Sequence, residues 1–135
     1  MAQTLRSGEP VEEYELRAGA VRMRFLSYGA IITAIETPDR DGRLANIVLG
    51  LSNLAAYEAR NAHYYFGGII GRYAGRIAGA HFMLDGRAVG LTSNEGPNAL
   101  HGGAPGFDAR LWRVEAGDHQ AVLRLSSPDG DQGFP

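Results

Sequence analysis

The sequence predicts an all-β fold with antiparallel strands. Short apolar runs alternate with polar residues, and turn-forming residues interrupt them every few positions. One segment, residues 52–60, has a helical pattern, and it opens with a serine and an asparagine that can cap a helix. Many short strands separated by frequent turns are typical of a β-sandwich or a β-barrel.

The individual strands follow from the alternation and from the turns between them. Gly29 separates the first two strands, and the segment P-D-R-D-G-R at 38–43 supplies the reversal before the third. Asp85 and Gly86 form the tight turn of one hairpin, and residues 116–118 form the turn of another. The predicted strands, in chain order, are residues 21–28, 30–37, 46–50, 81–84, 88–91, 110–115 and 120–125.

Length and composition indicate one globular domain covering residues 1–135. Of its 135 residues 44% are hydrophobic, which is ordinary for a globular protein with a sizeable core. The net charge of −2 offers no basic surface for nucleic acid or an anionic membrane, and no apolar run approaches a membrane span. The absence of cysteine excludes disulfides and thiolate metal sites. We therefore expect a soluble, cytoplasmic protein.

The most informative stretch is N-A-L-H-G-G-A-P-G-F-D at residues 98–108. His101 stands directly before Gly102 and Gly103, which lack a Cβ and therefore permit positive φ and the close approach of another molecule. An imidazole on such a turn is well placed to reach a ligand. The pattern also suits a glycine-rich connection whose histidine packs or faces water, and local pattern alone leaves both open.

A second stretch, residues 65–86, is rich in glycine and carries Arg72 and Arg76 four positions apart, with no acidic residue between residues 61 and 84. Together the two stretches resemble the aldose 1-epimerase (galactose mutarotase) family. Three segments carry the resemblance in the family's order and spacing: G-R-Y-A-G-R-I at 71–77, G-A-H-F-M-L-D-G at 79–86, and residues 98–108.

This resemblance, clearest over residues 64–112, implies an antiparallel β-sandwich of the galactose mutarotase-like (supersandwich) type. Sandwiches of this kind often need roughly 200–250 residues to close both sheets. The tail at 126–135 matches the family's D-G-x-x-G-[YF]-P loop, which lies mid-chain in full-length members. We therefore expect residues 1–135 to be the N-terminal portion of one incomplete sandwich domain.

The implied activity is interconversion of the α and β anomers of a free hexose by acid/base ring opening, without a cofactor or metal. In the family the acid is a histidine and the base a glutamate, both expected beyond Pro135, so this chain alone should be weak or inactive. Three other interpretations stay open: a non-catalytic carbohydrate-binding module, a hexose-6-phosphate epimerase-like relative, and a structural fragment. The expected partners are a glucose- or galactose-like sugar and either further copies of the chain or a second chain that completes the sandwich.

Four residues match sugar-site positions of the family. Arg76 corresponds to an arginine that contacts the sugar; a structural ion pair is the alternative, disfavoured by the lack of nearby acids. His101 corresponds to a histidine that hydrogen-bonds the substrate near its ring oxygen, a supporting catalytic role. Asn98 either contacts the ligand or holds its loop. Gly75 replaces the family's asparagine, which implies a different substrate preference or a lower affinity.

The remaining candidates have ordinary structural explanations. Arg72 is expected to support the backbone of its motif or a neighbouring carboxylate, and His81 and His119 are expected to face solvent. Aromatic residues beside His63 can stack on a sugar, but core packing is the commoner arrangement. The side chains expected in the core are His63, Phe107 and Trp112.

Overall fold

The computed structural model describes residues 3–135, and strands dominate this part of the chain. Within this range there is one α-helix, α1, which spans Leu54–Tyr64. The strands are β1 (Gln3–Thr4), β2 (Pro10–Val11), β3 (Glu13–Ala18), β4 (Val21–Leu26), β5 (Ile32–Pro38), β6 (Leu44–Asn46), β7 (Arg76–Ile77), β8 (His81–Leu84), β9 (Arg87–Gly90), β10 (Ala99–Leu100), β11 (Arg113–Ala116) and β12 (Ala121–Arg124). Every pairing between these strands is antiparallel, which confirms the predicted fold class.

Four consecutive strands form the main sheet in the order β3-β4-β5-β6. β3 and β4 pair along their whole length, whereas the register between β4 and β5 shifts at Arg24 and Phe25. The chain leaves β4 through Gly29, whose φ is +63°. A Cβ at this position would lie 2.0 Å from the carbonyl oxygen of Asp108, so the turn between β4 and β5 requires glycine.

The predicted reversal at 38–43 connects β5 to β6. One carboxylate oxygen of Asp39 accepts hydrogen bonds from the amides of Asp41, at 2.8 Å, and Arg43, at 2.9 Å. An aspartate at the start of a turn commonly satisfies the following amides in this way, and this local chemistry is what made the reversal predictable.

The third predicted strand is wrong beyond Asn46, where β6 ends. The Oδ1 atom of Asn46 accepts hydrogen bonds from the amides of Ile35 and Val48, both at 3.0 Å. Its side chain therefore takes an amide of the neighbouring strand, and regular pairing stops. The apolar residues that follow do not enter the core, since Ile47 is 66% exposed and Leu49 is 73% exposed.

The sequence prediction omits β3, because charged residues alternate along it. Tyr14 and Leu16 are half-buried between exposed neighbours, and that period of two is the signal that identifies the strand. Both predicted hairpins, β8–β9 and β11–β12, are confirmed with small shifts at their ends.

Helix α1 begins as predicted but runs further than residue 60. The side chain of Asn53 caps it by accepting a hydrogen bond from the Ala56 amide at 2.9 Å, as the sequence indicated. No helix within residues 3–135 is long and apolar enough to cross a membrane. His63 lies on the exposed side of α1, where its ring meets the ring of Tyr64 edge-on, so its predicted core position is wrong.

The core lies between β2, the main sheet and α1. Its buried side chains are Leu5, Val11, Leu26, Ile31, Leu54 and Tyr57. The hydroxyl of Tyr57 accepts a hydrogen bond from the Leu51 amide at 3.0 Å, so burial leaves this polar atom satisfied. Phe107 and Trp112 pack edge to face, with ring centroids 6.0 Å apart, but they are only half-buried, so their predicted core position holds in part.

Two arginines fasten the C-terminal segment to the rest of the domain. Arg110 donates from Nη1 and Nη2 to the two carboxylate oxygens of Asp131, each at 2.6 Å, and their side chains are 20% and 10% exposed. Arg72 donates to the hydroxyl and carbonyl of Ser127 and to the carbonyls of Pro128 and Pro135. Arg72 therefore supports the backbone of the C-terminal segment and not, as the sequence had predicted, that of its own motif.

We predict that Asp131→Asn destabilises the domain by about 2 kcal/mol at neutral pH, because it removes the charge from a shielded bidentate pair. Hydrogen bonding from Arg110 lowers the pKa of Asp131 from 3.8 to about 2. Since the folded state lowers this pKa, the stabilisation is complete above about pH 4 and is lost as the pH falls toward 2. In urea unfolding, the difference in the free energy of unfolding between wild type and Asp131→Asn should decrease as the pH falls through this range.

The matched control is Glu115→Gln, which alters the exposed pair with Arg124. Exposed pairs contribute little, so this variant should unfold close to the wild-type midpoint. A gap between wild type and Asp131→Asn that stays constant from pH 7 to pH 2 would contradict the assignment.

Candidate functional site

The antiparallel pair β7–β10 joins the two motif segments. Arg76 on β7 lies opposite Leu100 on β10. The contact continues one residue further, because the amide of His101 donates to the carbonyl of Gly75 at 3.0 Å. Three of the predicted site residues, Gly75, Arg76 and His101, are therefore neighbours in space although 26 positions separate Gly75 from His101.

The ring of His101 is oriented by the backbone of the other segment. The Gly75 amide donates to Nδ1 of His101 at 3.1 Å. A backbone amide can only donate, so Nδ1 is the acceptor and the ring proton lies on Nε2. The Tyr65 ring packs edge-on against the imidazole, with centroids 4.6 Å apart. His101 thus presents an N–H donor from a half-buried, fixed ring.

The glycines after His101 serve contacts within the protein. Gly102 has a φ of +86°, and a Cβ on it would lie 2.0 Å from the Gly71 carbonyl oxygen and 2.5 Å from the Arg72 nitrogen. A Cβ on Gly103 would similarly meet the Gln132 side chain at 2.7 Å. The molecule that approaches these glycines is therefore the chain itself, and this packing locks the 98–108 loop against the 71–77 segment.

Arg76 forms an ion pair that the sequence interpretation disfavoured. Its Nε and Nη2 atoms donate to the two carboxylate oxygens of Glu95, each at 2.6 Å. Glu95 is 19 positions away, so the local scarcity of acids gave no warning of it. The pair is open to solvent, with the arginine side chain 63% exposed and the glutamate side chain 36% exposed.

The ion pair shifts the pKa of both partners. Hydrogen bonding with Glu95 raises the pKa of Arg76, and the same hydrogen bond lowers the pKa of Glu95 below 4.5. The charge of Arg76 adds to this lowering. Glu95 is consequently ionised at neutral pH.

Arg76 lines a pocket of about 560 Å³. This volume is in the range of small-molecule sites. His101 follows Leu100, the residue opposite Arg76, and is not part of the pocket wall. The wall is formed by Arg72, Tyr73, Arg76, Ile77, Phe82 and Phe134, a mixture of guanidinium groups and rings.

Asn98 has a structural role in this arrangement. Its Oδ1 atom accepts a hydrogen bond from the Gly79 amide at 3.1 Å, and its backbone pairs with that of Glu95. Asn94 acts similarly, since its side-chain amide bonds both the N–H and the C=O of Leu100. The two asparagines hold the turn that presents Glu95, which favours the loop-holding alternative for Asn98.

Other candidates are distributed as follows. His81 and His119 are exposed, as predicted. Tyr65 and Asp108 are near the site but were not singled out: burial raises the pKa of the Asp108 carboxyl, and burial together with this carboxyl and Glu95 raises the pKa of Tyr65. No group of His, Cys, Asp and Glu able to hold a metal occurs within residues 3–135.

Comparison with known proteins identifies the class to which this fold belongs. The structure superimposes on the GalM/aldose epimerase homologue from C. elegans with a TM-score of 0.83 and 28% identity, covering 93% of this chain and 38% of that one. For galactose 1-epimerase from Lactobacillus acidophilus NCFM the TM-score is 0.80 with 26% identity, covering 100% and 40%. The fold is therefore that of the galactose mutarotase-like β-sandwiches.

Sequence similarity settles the family. The model of the family described as Aldose 1-epimerase matches residues 12–135. Galactose mutarotase of Sus scrofa is 42% identical over 125 residues, which cover 93% of this chain and 36% of that protein. Aldose 1-epimerase of Escherichia coli (strain K12) is 40% identical over 131 residues, covering 95% and 37%. The chain belongs to the aldose 1-epimerase family, as its motifs indicated, and it spans little more than a third of the length of these curated relatives.

We predict that Gly102→Ala destabilises the domain by about 3 kcal/mol, because the new methyl group collides with backbone and the residue keeps a positive φ. Gly86→Ala is the matched control, since Gly86 has a φ of +76° with no atom within 4 Å of the new Cβ. It should cost only about 1 kcal/mol, the strain alone. Equal losses in thermal or urea unfolding would refute the tight contact with residues 71 and 72.

Proposed function

We propose that this chain supplies the hexose-binding part of an aldose 1-epimerase that interconverts the α and β anomers of a free hexose. The pairing of β7 with β10 carries the proposal, because it joins His101 to Gly75, the residue before Arg76, and Arg76 lines a pocket. The pocket's rings suit the C–H faces of a pyranose, and its guanidinium donors suit the hydroxyls. The names of the relatives support this substrate class.

The reaction needs a proton to leave one oxygen of the sugar and another to arrive. A base takes the proton of the anomeric hydroxyl, an acid protonates the ring oxygen, and the C1–O5 bond breaks to give the open aldehyde. Rotation about C1–C2 and the reverse proton transfers close the other anomer. In our proposal the Nε2–H of His101 donates to the sugar near its ring oxygen, and Arg76 holds neighbouring hydroxyls.

The family resemblance assigns the acid and the base to positions beyond Pro135. We infer that residues 1–135 bind sugar but accelerate mutarotation weakly unless further residues of the same protein, or a second chain, supply those groups. An apolar groove of about 360 Å³ between the main sheet and the β11–β12 hairpin supports such a partner. Phe25, Ile32 and Trp112 are among its lining residues. We also propose a cytoplasmic location, because a chain without cysteine needs no oxidising compartment.

A second candidate function is sugar binding without catalysis. The observation that favours it is the ionised state of the Glu95 carboxylate, which lies beside Arg76. Because Arg76 lowers its pKa, Glu95 is a weak base and holds no proton to give at neutral pH. The residues described around the pocket therefore favour binding over proton transfer by this segment alone.

We predict that Arg76→Ala and His101→Ala each weaken the binding of galactose or glucose about 10- to 100-fold, the effect of losing hydrogen bonds to a charged or fixed donor. NMR titration of the labelled chain measures this. Arg113→Ala and His119→Ala are the matched controls, since both residues are exposed and lie on the β11–β12 hairpin. Equal weakening by the controls, or none by the site variants, would contradict the assignment.

We predict little or no acceleration of mutarotation by this chain alone, measured by polarimetry on freshly dissolved α-glucose. A rate equal to buffer, together with saturable sugar binding, favours the binding module. A large acceleration would refute the inferred need for outside groups. If that acceleration survived His101→Ala, the supporting role of His101 would fall as well.

A further inference from the structure

We propose that Glu95 is a positioning residue, which turns the free edge of the Arg76 guanidinium toward the pocket to donate to adjacent hydroxyls of an uncharged pyranose. This inference rests on the proposed function, because it assigns the geometry of sugar recognition at the same site. Nε and Nη2 of Arg76 are engaged by Glu95, whereas Nη1 has no hydrogen-bond partner within residues 3–135. Nη1 therefore retains its donors for a ligand.

The other two arginines near the C-terminal segment, Arg72 and Arg110, have both terminal guanidinium nitrogens engaged in hydrogen bonds. All three guanidinium nitrogens of Arg72 donate to groups at 127–135. Both terminal nitrogens of Arg110 donate to Asp131, and Nη2 also donates to the carbonyl of Pro105. Of the two guanidinium groups that line the pocket, those of Arg72 and Arg76, Arg76 is the one held on one edge and open on the other.

Glu95 is itself held by its turn. Its amide donates to the carbonyl of Asn98 at 3.1 Å, and the Asn98 amide donates back at 3.0 Å. Asn94 fixes the other end of the turn by bonding the backbone of Leu100, the residue opposite Arg76. The carboxylate is thus presented from the turn that leads into β10, the strand paired with the one that carries Arg76.

Stability gives no reason for this ion pair, because exposed pairs add little to folding. The ion pair is explained by orientation of Arg76 for ligand binding. An unrestrained arginine side chain loses rotamer freedom when it binds a ligand, whereas a side chain that is already held loses less. The carboxylate also balances the charge of Arg76. Because the Arg76–Glu95 ion pair has no net charge, it suits two neutral sugar hydroxyls better than a phosphate, whose negative charge Glu95 repels.

The experiment compares Glu95→Gln with wild type in galactose and galactose 6-phosphate titrations, with Glu115→Gln as the control. Glu115 forms a similarly exposed pair with Arg124 on the β11–β12 hairpin, outside the candidate site. We expect Glu95→Gln to weaken galactose binding about tenfold, to shift the preference toward the phosphate, and to leave the unfolding midpoint unchanged. Glu115→Gln should change none of these. Glu95→Ala repeats the test, since the turn's backbone bonds do not use the side chain.

A spectroscopic signature separates positioning from a merely structural role. The Nε–H signal of Arg76, assigned by its loss in Arg76→Lys, should exchange slowly with water in wild type and rapidly in Glu95→Gln. Unchanged exchange, or galactose binding by Glu95→Gln equal to wild type, overturns the positioning role while leaving the proposed function intact. If wild type itself binds no hexose, the proposed function fails and this inference fails with it.

Discussion

The short antiparallel contact between β7 and β10 is the constraint on which the candidate site depends. It sets Arg76 opposite Leu100 and lets Gly75 and His101 exchange hydrogen bonds at its end. A slip of one residue would turn Arg76 to the other face of the strand pair, because side chains alternate along a strand. Packing of Gly102 against the peptide of residues 71 and 72 prevents such a slip by fixing the two segments together.

Three arginines of this domain differ in their exposure and in their hydrogen-bond partners. Arg110 is largely shielded and shares a carboxylate with the C-terminal segment, so its pair stabilises the domain. Arg72 donates hydrogen bonds to carbonyls of the C-terminal segment, which connects that segment to the 71–77 motif. Arg76 stays exposed beside a pocket and keeps one edge free. The same residue type thus stabilises the fold in two places and is the proposed recognition group in the third.

Much of the fold could be predicted because its signals are local. The turn at 38–43, the cap of α1 by Asn53 and the two hairpins depend on residues a few positions apart. The strand predictions were wrong where a particular side chain changed what the hydrophobic alternation alone indicated. Asn46 ended β6 by taking an amide of the next strand, and charged residues concealed β3 although its alternation was present. His63 lies outside the core because it is on the exposed side of α1.

The sequence by itself determined the family, through three motif segments in order, and it marked Arg76 and His101 as the residues to examine. Only the tertiary structure decided that Glu95 holds Arg76, that Gly75 sets the tautomer of His101, and that Arg72 serves the C-terminal segment. These partners are 19, 26 and 55 or more positions apart. Local periodicity and turn chemistry carry no record of contacts over such separations, because those contacts depend on strand register and on the packing of loops.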